Sequence, residues 1–312
     1  MLNISYNISP RLQNYLSQIE DLRKQILLTP IPQAKELRLR WEATFNRTHY
    51  SLKIAGNSLK KGEMLKLLSE VTHRKTGDDQ KAVLAYKQAL DYISREWQGS
   101  PSAVDAQAII NLHKIIGTGK LRVPQAGLQY LLDYLQARIE NPVIQAAIIC
   151  IEMEKMQLFT QRNSLISHLA ADLFLCKYGY DFRGFLAYEA AWIDDANNFK
   201  ENRQRALGAV SLTLWLEYFA SCILKQAEAI AQSLVEPKTQ TLDVRESFWK
   251  INERQKLILG LLDSPQVTIT NRQIQKQFKT SQITASRDLA KLTNLGLLFS
   301  HGKGRSVYYT RI

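Results

Sequence analysis

Apolar residues recur every three or four positions over most of residues 1–235, and this spacing places them along one face of a helix. Residues 11–29 are an example, because Leu12, Leu16 and Ile19 fall on a common face. The same spacing predicts helices over residues 33–50, 58–71, 80–97, 103–116, 128–139, 142–159, 164–178, 185–197 and 206–233. The pattern therefore predicts a mainly α-helical body.

The pattern changes after Glu236-Pro237, where a polar connector leads into shorter elements. The predicted order is a helix over 252–262, a β-branched strand over 267–269, helices over 271–278 and 282–294, and a hairpin over 297–310. Gly302 and Gly304 favour a tight turn in the hairpin, because glycine adopts positive φ without steric cost. This order resembles a winged helix-turn-helix, so about residues 248–312 are predicted to form a small α+β domain of that kind.

The distribution of charge adds a partner to this picture. The chain carries 41 Lys and Arg against 29 Asp and Glu, a formal net charge of +12, and its pI is about 9.5. Residues 246–312 hold eleven of the basic residues and four of the acidic ones, so this fifth of the chain contributes +7. Such a local excess is typical of a surface that binds nucleic acid phosphates. The predicted partner is therefore double-stranded DNA.

In a helix-turn-helix, the start of the second helix enters the major groove. The candidates there are small or hydrogen-bonding side chains, followed by one cation a turn later: Ser281, Gln282, Thr284, Ala285, Ser286, Arg287 and Lys291. Gln pairs with adenine and Arg with guanine through two hydrogen bonds. The hairpin adds His301, Lys303 and Arg305 as candidates.

The opposite face of the same helix is assigned to the core, with Ile283, Leu289, Leu292 and Leu295. Ile274 and Phe278 are assigned to the helix that faces it. The alternative interpretation is a winged helix used for protein contacts or for dimerisation.

Nothing in the sequence predicts a membrane or secreted protein. No apolar run approaches the roughly 20 residues that a spanning helix needs, and residues 1–10 lack the basic and apolar segments of a signal peptide. Cys150, Cys176 and Cys222 are widely spaced in apolar stretches, which fits neither a disulfide framework nor a zinc site. We therefore expect buried, reduced cysteines in a cytoplasmic protein without a membrane partner.

Three segments of the body resemble the Fic domain family, whose members transfer AMP or another phosphate-containing group to a protein hydroxyl. Residues 142–189 are similar to the core that carries the family motif HPFxDGNGRxxR. Residues 109–114 are similar to the helix before the target-docking flap, and residues 215–219 to the closing helix.

The resemblance spans about residues 40–235 and implies a Fic-like helical bundle, and a winged helix after it is a familiar arrangement in the family. The predicted domains are an N-terminal helical region over 1–85, a degenerate Fic-like core over 86–235 and the winged helix-turn-helix over 246–312.

At the motif itself, the residues that the family uses for proton transfer and metal binding are replaced. The catalytic histidine corresponds to Gln157, and a glutamine amide cannot act as a general base near neutral pH. The metal-binding acid corresponds to Gln161, which brings no charge to a magnesium ion that prefers carboxylates.

The phosphate-binding part of the motif is replaced as well. Arg162 and Ser164 stand where the family has glycines that form an anion-binding nest. Leu165 and His168 stand where it has arginines, so neutralisation of phosphate is also lost. The motif residues that persist are Phe159, Thr160 and Asn163.

Two further segments agree with this loss. Residues 117–124 are too short for the family's flap, and residues 51–57 resemble the inhibitory motif Ser-x-x-x-Glu-Gly-Asn with Ala55 in place of its glutamate. His113 is a possible stray base, but its place on an amphipathic helix favours a half-buried structural histidine. The sequence predicts no catalytic residue, no metal site and no cofactor.

The leading hypothesis is a homodimeric transcriptional regulator whose Fic-like body is a catalytically dead dimerisation or sensing module. The first alternative is a protein-interaction scaffold or antitoxin-like partner. The second is a residual adenylyltransferase that moves AMP from ATP to a hydroxyl. The long apolar helix within 212–229 is assigned to the core in preference to an interface.

Overall fold

The computed structural model describes residues 4–69, 76–117, 119–122, 125–139, 141–235, 251–263, 267–302 and 306–311. The chain divides into two compact units. The first comprises Met1–Pro30, Ala43–Leu59 and Gly77–Lys238, and the second comprises Ile31–Glu42, Lys60–Thr76 and Thr239–Ile312. The expected fold class is confirmed, because the chain is mainly helical and carries a small antiparallel sheet near its end. The boundaries of the three expected domains stay predictions.

Eleven helices precede the last part of the described chain. They are α1 (Pro10–Leu28), α2 (Gln33–Ile54), α3 (Lys61–Ser69), α4 (Asp78–Trp97), α5 (Ala106–Ile116), α6 (Gln125–Arg138), α7 (Pro142–Met156), α8 (Asn163–Lys177), α9 (Glu189–Asp194), α10 (Ala196–Gly208) and α11 (Thr213–Val235).

Helices α7 and α8 form the centre of the first unit and pack against each other, with α4 and α5 against α8 and α1 along α11. Residues 142–154 of α7 and 165–177 of α8 are buried without interruption. A helix surrounded by other helices is apolar on most sides, which explains why these two sequences are mainly apolar with a few buried polar residues. Asn141 begins α7 by accepting hydrogen bonds from the backbone N–H groups of Val143 and Ile144.

The structure corrects the bounds of two predicted helices. The helix predicted over 206–233 is divided, because the N-terminal segment pairs with residues between α10 and α11. There Ser5 bridges to Ser211 in parallel, and the Leu212 N–H donates to the Ser5 carbonyl at 2.8 Å. The helix predicted over 142–159 ends at Met156, because Gln157 has a left-handed backbone with φ of 46°.

Two further helices begin later in the chain than the sequence predicted. Helix α5 begins at Ala106 and not at residue 103, because Asp105 accepts the Ala108 N–H and caps the helix. The helix predicted over 185–197 is divided into α9 and the start of α10, since Asp195 caps α10 through the Asn198 N–H.

Several expectations about burial are confirmed. All three cysteines are buried and free. In the long apolar segment, Leu212, Leu216, Phe219 and Ile223 are buried, while Leu214 is exposed, so most of that face belongs to the core. Within the described residues, the apolar length of every helix falls short of what crossing a bilayer requires.

The last part of the chain is a small α+β unit, which we call the C-terminal unit (residues 251–311). It contains α12 (Glu253–Gly260), α13 (Asn271–Phe278), α14 (Gln282–Asn294), β1 (Leu298–His301) and β2 (Tyr308–Arg311). Strands β1 and β2 pair antiparallel, with Leu298 opposite Arg311 and His301 opposite Tyr308. Of the strand predicted over 267–269, Ile269 alone pairs, and it exchanges two backbone hydrogen bonds with Tyr309.

Local sequence signals fix the three helices of the C-terminal unit. Asn252, Thr270 and Ser281 each accept a hydrogen bond from a backbone N–H in the first turn of the helix that follows. Lys279 adopts the left-handed conformation, with φ of 48°, and closes the turn between α13 and α14. The core beneath them is apolar: Ile258, Leu259, Leu262, Ile269, Ile274, Ala285, Leu289, Leu292 and Leu298.

Candidate functional site

The first candidate site is the loop between α7 and α8, which carries the motif positions and which we call the motif loop (residues 157–163). Asn163 fastens it from within, because its side chain accepts the Phe159 N–H at 2.9 Å and donates to the Phe159 carbonyl at 2.7 Å. It also donates to the Gln157 side-chain oxygen at 3.2 Å. The persistence of Asn163 therefore has a structural reason, since it holds both the N–H and the carbonyl of one residue.

The described part of the segment that corresponds to the flap in the resemblance, residues 119–122, pairs with the motif loop. Leu121 and Phe159 form an antiparallel bridge, and the Arg122 N–H donates to the Leu158 carbonyl at 2.7 Å. Thr160 accepts the Lys120 N–H through its hydroxyl at 2.9 Å and donates its own N–H to the Lys120 carbonyl at 3.0 Å. Residues 119–122 thus lie along the motif loop as one short extended strand.

His113 lies beneath this strand and differs from the half-buried histidine that we expected, because it is 6% exposed. Its ring stacks on Phe159 with centroids 3.8 Å apart. A Cβ atom at Gly119 would lie 3.1 Å from His113 Nε2, so the backbone of Gly119 lies close against the His113 ring. Burial, and secondly Arg162, lower the pKa of His113, which keeps the imidazole neutral near pH 7.

An open cleft of about 530 Å³ lies beside the motif loop. It is lined by Gln157, Arg162 and the start of α8, and on another side by Ala55 and Asn57. The structure therefore brings together the motif positions and the segment that resembles the inhibitory motif. Asn57 donates to the Asp79 carbonyl at 3.1 Å, which ties that segment to the start of α4.

Charged groups around the cleft are mostly held by other protein groups. Arg162 donates to the Ile116 carbonyl at the end of α5. Glu154 pairs with Arg203 through two hydrogen bonds, one of them from Arg203 Nε at 2.8 Å. A magnesium ion prefers several carboxylate or water oxygens, and the motif position for its acid holds the neutral Gln161. The residues present do not fit that ion.

Leu165 and His168, which correspond to the motif's arginines in the resemblance, offer no cation to a phosphate in the cleft. Leu165 lines the cleft's floor at 4% exposure, and His168 is 2% exposed with its ring edge against Trp192 at 5.0 Å between centroids. Burial, and secondly Arg203, lower the pKa of His168 to about 3. His168 is therefore a neutral core residue over the physiological range.

Sequence reasoning missed a buried charge cluster in the same unit. Arg47 pairs with Asp172 at 2.8 Å, and Ser51 donates to Glu189 at 3.2 Å. Burial, with the nearby Asp172 next, raises the pKa of Glu189 well above its ordinary value, which favours the protonated form of this carboxyl. A signal was present, because Asp172 is the one acidic residue in the apolar stretch 164–176.

The second candidate site is the exposed face of α14, which we call the α14 face (Gln282, Ile283, Ser286 and Arg287). These four side chains are exposed. Asn271, at the start of α13, donates to the Ser286 hydroxyl at 2.8 Å and so links the two helices along the edge of this face. The structure therefore brings three of the predicted DNA-binding residues to one surface.

Two assignments on this helix are wrong. Ala285 was predicted to face DNA but is 0% exposed, because it packs in the core with Leu289 and Leu292. Ile283 was predicted in the core but is 65% exposed. The inward stripe of α14 runs through Ala285, Asp288, Leu289 and Leu292, with spacings of three and four residues. Ile283 lies outside that stripe.

The remaining predicted residues are placed as follows. Ser281 caps α14 by accepting the Thr284 N–H at 3.2 Å, and the hydroxyl oxygens of these two residues lie 2.9 Å apart. Lys291 is half-buried, and burial lowers its pKa. His301 stacks on Tyr308 and lies 2.8 Å from the Thr310 hydroxyl. Lys303 and Arg305 lie outside the described residues.

In the C-terminal unit, the described acidic residues are paired with cations, whereas several exposed cations are in no ion pair with a described residue. The pairs are Asp288 with Arg254, Glu253 with Lys256, and Asp263 with Arg311. Asp288 is buried and also accepts from Gln255 at 2.8 Å. By contrast, four exposed cations on α13, on α14 and between them make no ion pair within the described residues: Arg272, Lys276, Lys279 and Arg287.

Comparison with known proteins places the fold. No family model matches the sequence, and no curated protein matches it. Among solved structures, a Fic family protein from Desulfovibrio desulfuricans G20 is similar, with a TM-score of 0.62 and 15% identity over 100% of this chain and 98% of that chain.

Two other solved structures agree. A Fic domain containing signaling protein from Bacteroides thetaiotaomicron VPI-5482 has a TM-score of 0.54 and 16% identity, covering 74% of this chain and 100% of that chain. Fic-1 from C. elegans has a TM-score of 0.52 and 19% identity, covering 72% of this chain and 71% of that chain. This protein has the Fic-domain fold.

Proposed function

We propose that this protein is a DNA-binding transcriptional regulator. Its C-terminal unit is a winged helix-turn-helix, and its Fic-like body is a non-catalytic dimerisation or sensing module. The observation that carries the proposal is the α14 face, which stands clear of the core, and whose Arg287, like three neighbouring cations, forms no ion pair among the described residues. A surface with hydrogen-bonding side chains in the middle and cations around them matches the major groove and its flanking phosphates.

The α14 face supplies the chemistry for base contacts. Arg287 has the planar guanidinium that donates two hydrogen bonds to guanine, and Gln282 has the amide that pairs with adenine. Arg272, Lys276 and Lys279 lie on α13 and in the turn after it, where they are placed to contact phosphates. In this assignment α14 is the recognition helix, and Ala285 is its core anchor.

The absence of catalysis is the second part of the proposal. The amides of Gln157 and Gln161 offer neither a base nor a charged metal ligand. Glu154 is held by Arg203 and Arg162 by a backbone carbonyl, so neither is free to replace the missing groups. Incubation with Mg²⁺ and ATP labelled on its α-phosphate should leave both the chain and added protein unlabelled. Labelling that depends on the native fold would contradict this part.

The decisive experiment for the first part is selection of DNA fragments by the full chain, followed by affinity measurements at several salt concentrations. Arg287→Ala should weaken binding to the selected site by roughly tenfold to a hundredfold, the loss of one two-bond contact to guanine. Lys24→Ala on α1 removes one exposed positive charge from the body and should change affinity little.

The result that would overturn the regulator is weak binding that is equal for all sequences and equally affected by the two variants. The C-terminal unit would then be a protein-contact module. The homodimer belongs to the same proposal, because one α14 face contacts few bases. The selected sites should then be palindromes with half-sites about one DNA turn, roughly 34 Å, apart.

A further inference from the structure

Ile283 is an exposed apolar side chain that lies within the α14 face, beside the residues proposed to contact bases. The core of the C-terminal unit is complete without it, because Ala285, Leu289 and Leu292 already fill the inward side of α14. Ile283 is the second residue of that helix and is 65% exposed. A β-branched apolar side chain contributes less to helix formation than Gln, Glu, Lys or Arg at an exposed position. Folding of the C-terminal unit therefore does not require an isoleucine at this position.

The residues next to Ile283 indicate which kind of partner surface would contact it. Ser286 and Arg287 follow it by three and four residues, so they share its face of the helix. Asn271 holds Ser286 at 2.8 Å and fixes the edge of that face against α13. Ile283 is thus an apolar group in the centre of a hydrogen-bonding surface.

Charge complementarity favours a nucleic acid partner over a second protein. The described acidic residues of the C-terminal unit are all taken up in ion pairs, whereas Arg272, Lys276, Lys279 and Arg287 are not. A polyanion satisfies these cations, and an apolar protein surface does not. On the major-groove edges of the four bases, the apolar group is the C5 methyl of thymine.

We propose that Ile283 packs on the C5 methyl group of a thymine and makes that thymine part of the preferred site. This inference rests on the proposed function and adds a base to it. Ile283 and Arg287 are four residues apart, a rise of about 6 Å along the helix. The base-pair rise is about 3.4 Å, so the thymine lies roughly two base pairs from the guanine that Arg287 contacts.

The test uses the full chain and the DNA site that it selects from random sequence. Each thymine of a half-site is replaced in turn by uracil, which removes the methyl group and leaves the base-pair hydrogen bonds unchanged. Affinity is measured by fluorescence anisotropy at fixed salt. One replacement should weaken binding by about fourfold, the value expected for losing one buried methyl group.

The variant Ile283→Ala identifies the side chain responsible. For this variant, the same uracil replacement should cause no further weakening, because the contact is already absent. Leu257→Ala is the matched control, since Leu257 is another exposed apolar residue of the C-terminal unit, 59% exposed on α12. The Leu257→Ala protein should keep the full fourfold effect.

The outcomes separate this inference from the proposed function. If the chain selects a sequence but every uracil replacement is neutral, the inference is overturned and the regulator stands. The same holds if Ile283→Ala keeps the fourfold effect. If the chain selects no sequence, both the inference and the regulator are overturned.

Discussion

The motif loop and the α14 face both lie at the amino end of a helix, but the sequence predicted opposite roles for them, a lost phosphate site in the motif loop and a DNA contact at the start of α14. In the structure, the polar groups of the motif loop are bonded within the protein, whereas those of the α14 face stay exposed. In the motif loop, Asn163 holds Phe159 and Arg162 bonds a carbonyl of α5. On the α14 face, Gln282 and Arg287 remain exposed.

The comparison separates polar groups that the fold already uses from polar groups that it leaves exposed. A polar side chain that is bonded to the protein's own backbone is no longer available to a ligand. A cation that stays exposed after every nearby carboxylate has paired leaves a net field for an anion. The two regions therefore differ less in the number of charges than in whether the fold already uses them.

The largest loss of stability is expected from breaking the buried ion pair between Arg47 and Asp172. Arg47→Met leaves the Asp172 carboxylate buried without its cation, and breaking such a pair costs about 3–5 kcal/mol. Urea unfolding should show this loss. Lys24→Met, whose side chain is 62% exposed beside Glu20, should lower the free energy of unfolding by less than about 1 kcal/mol. Equal losses in the two variants would mean that Arg47 is not buried in its pair.

The next effect compares two positions of α14 that carry the same new side chain. Ala285→Gln places a larger, polar group in the core and should cost about 3 kcal/mol. Ile283→Gln changes an exposed side chain and should stay within about 0.5 kcal/mol. Hydrogen exchange of the α14 amides measures both. A reversed order would restore the original assignment, with Ile283 inside and Ala285 outside.

A third prediction concerns the pH dependence of the free energy of unfolding that comes from the buried His168. The pKa of His168 is about 3 in the folded chain, against an ordinary value of 6.5 for an exposed histidine, so below pH 6.5 the unfolded chain binds a proton that the folded chain does not. Stability from His168 is therefore lost as pH falls, by roughly 2 kcal/mol between pH 7 and pH 5.

His168→Gln cannot gain this proton. The difference in unfolding free energy between the natural chain and the variant should therefore shrink as pH falls from 7 to 5. Since both proteins contain Glu189, the titration of that residue cancels in the comparison. A difference that does not change with pH would place His168 in contact with water.

The smallest effect concerns the left-handed backbone at Arg162, where φ is 62°. Arg162→Gly and Arg162→Ala both remove the bond to the Ile116 carbonyl, but only glycine adopts this φ without strain. The glycine variant should be more stable than the alanine variant by about 1 kcal/mol. Thermal unfolding of the two proteins measures the difference, and equal stabilities would mean that the loop relaxes to another conformation.

The fold was largely accessible from the sequence, and the candidate sites only partly. Apolar spacing predicted most helices and the final hairpin, because these depend on interactions between residues close in the chain. The bounds failed where a distant segment intervened, as at Leu212, whose N–H bonds Ser5.

Within the sites, the sequence determined which residue types are present: an amide at Gln157, a neutral side chain at Gln161, and an excess of cations after residue 246. Only the tertiary structure decided which of them face solvent. On α14, where successive residues are about 100° apart, the orientation that exposes Ile283 and buries Ala285 is fixed by core packing against Ile274 and Leu298. Residue chemistry is a local property, whereas exposure depends on every element that packs nearby.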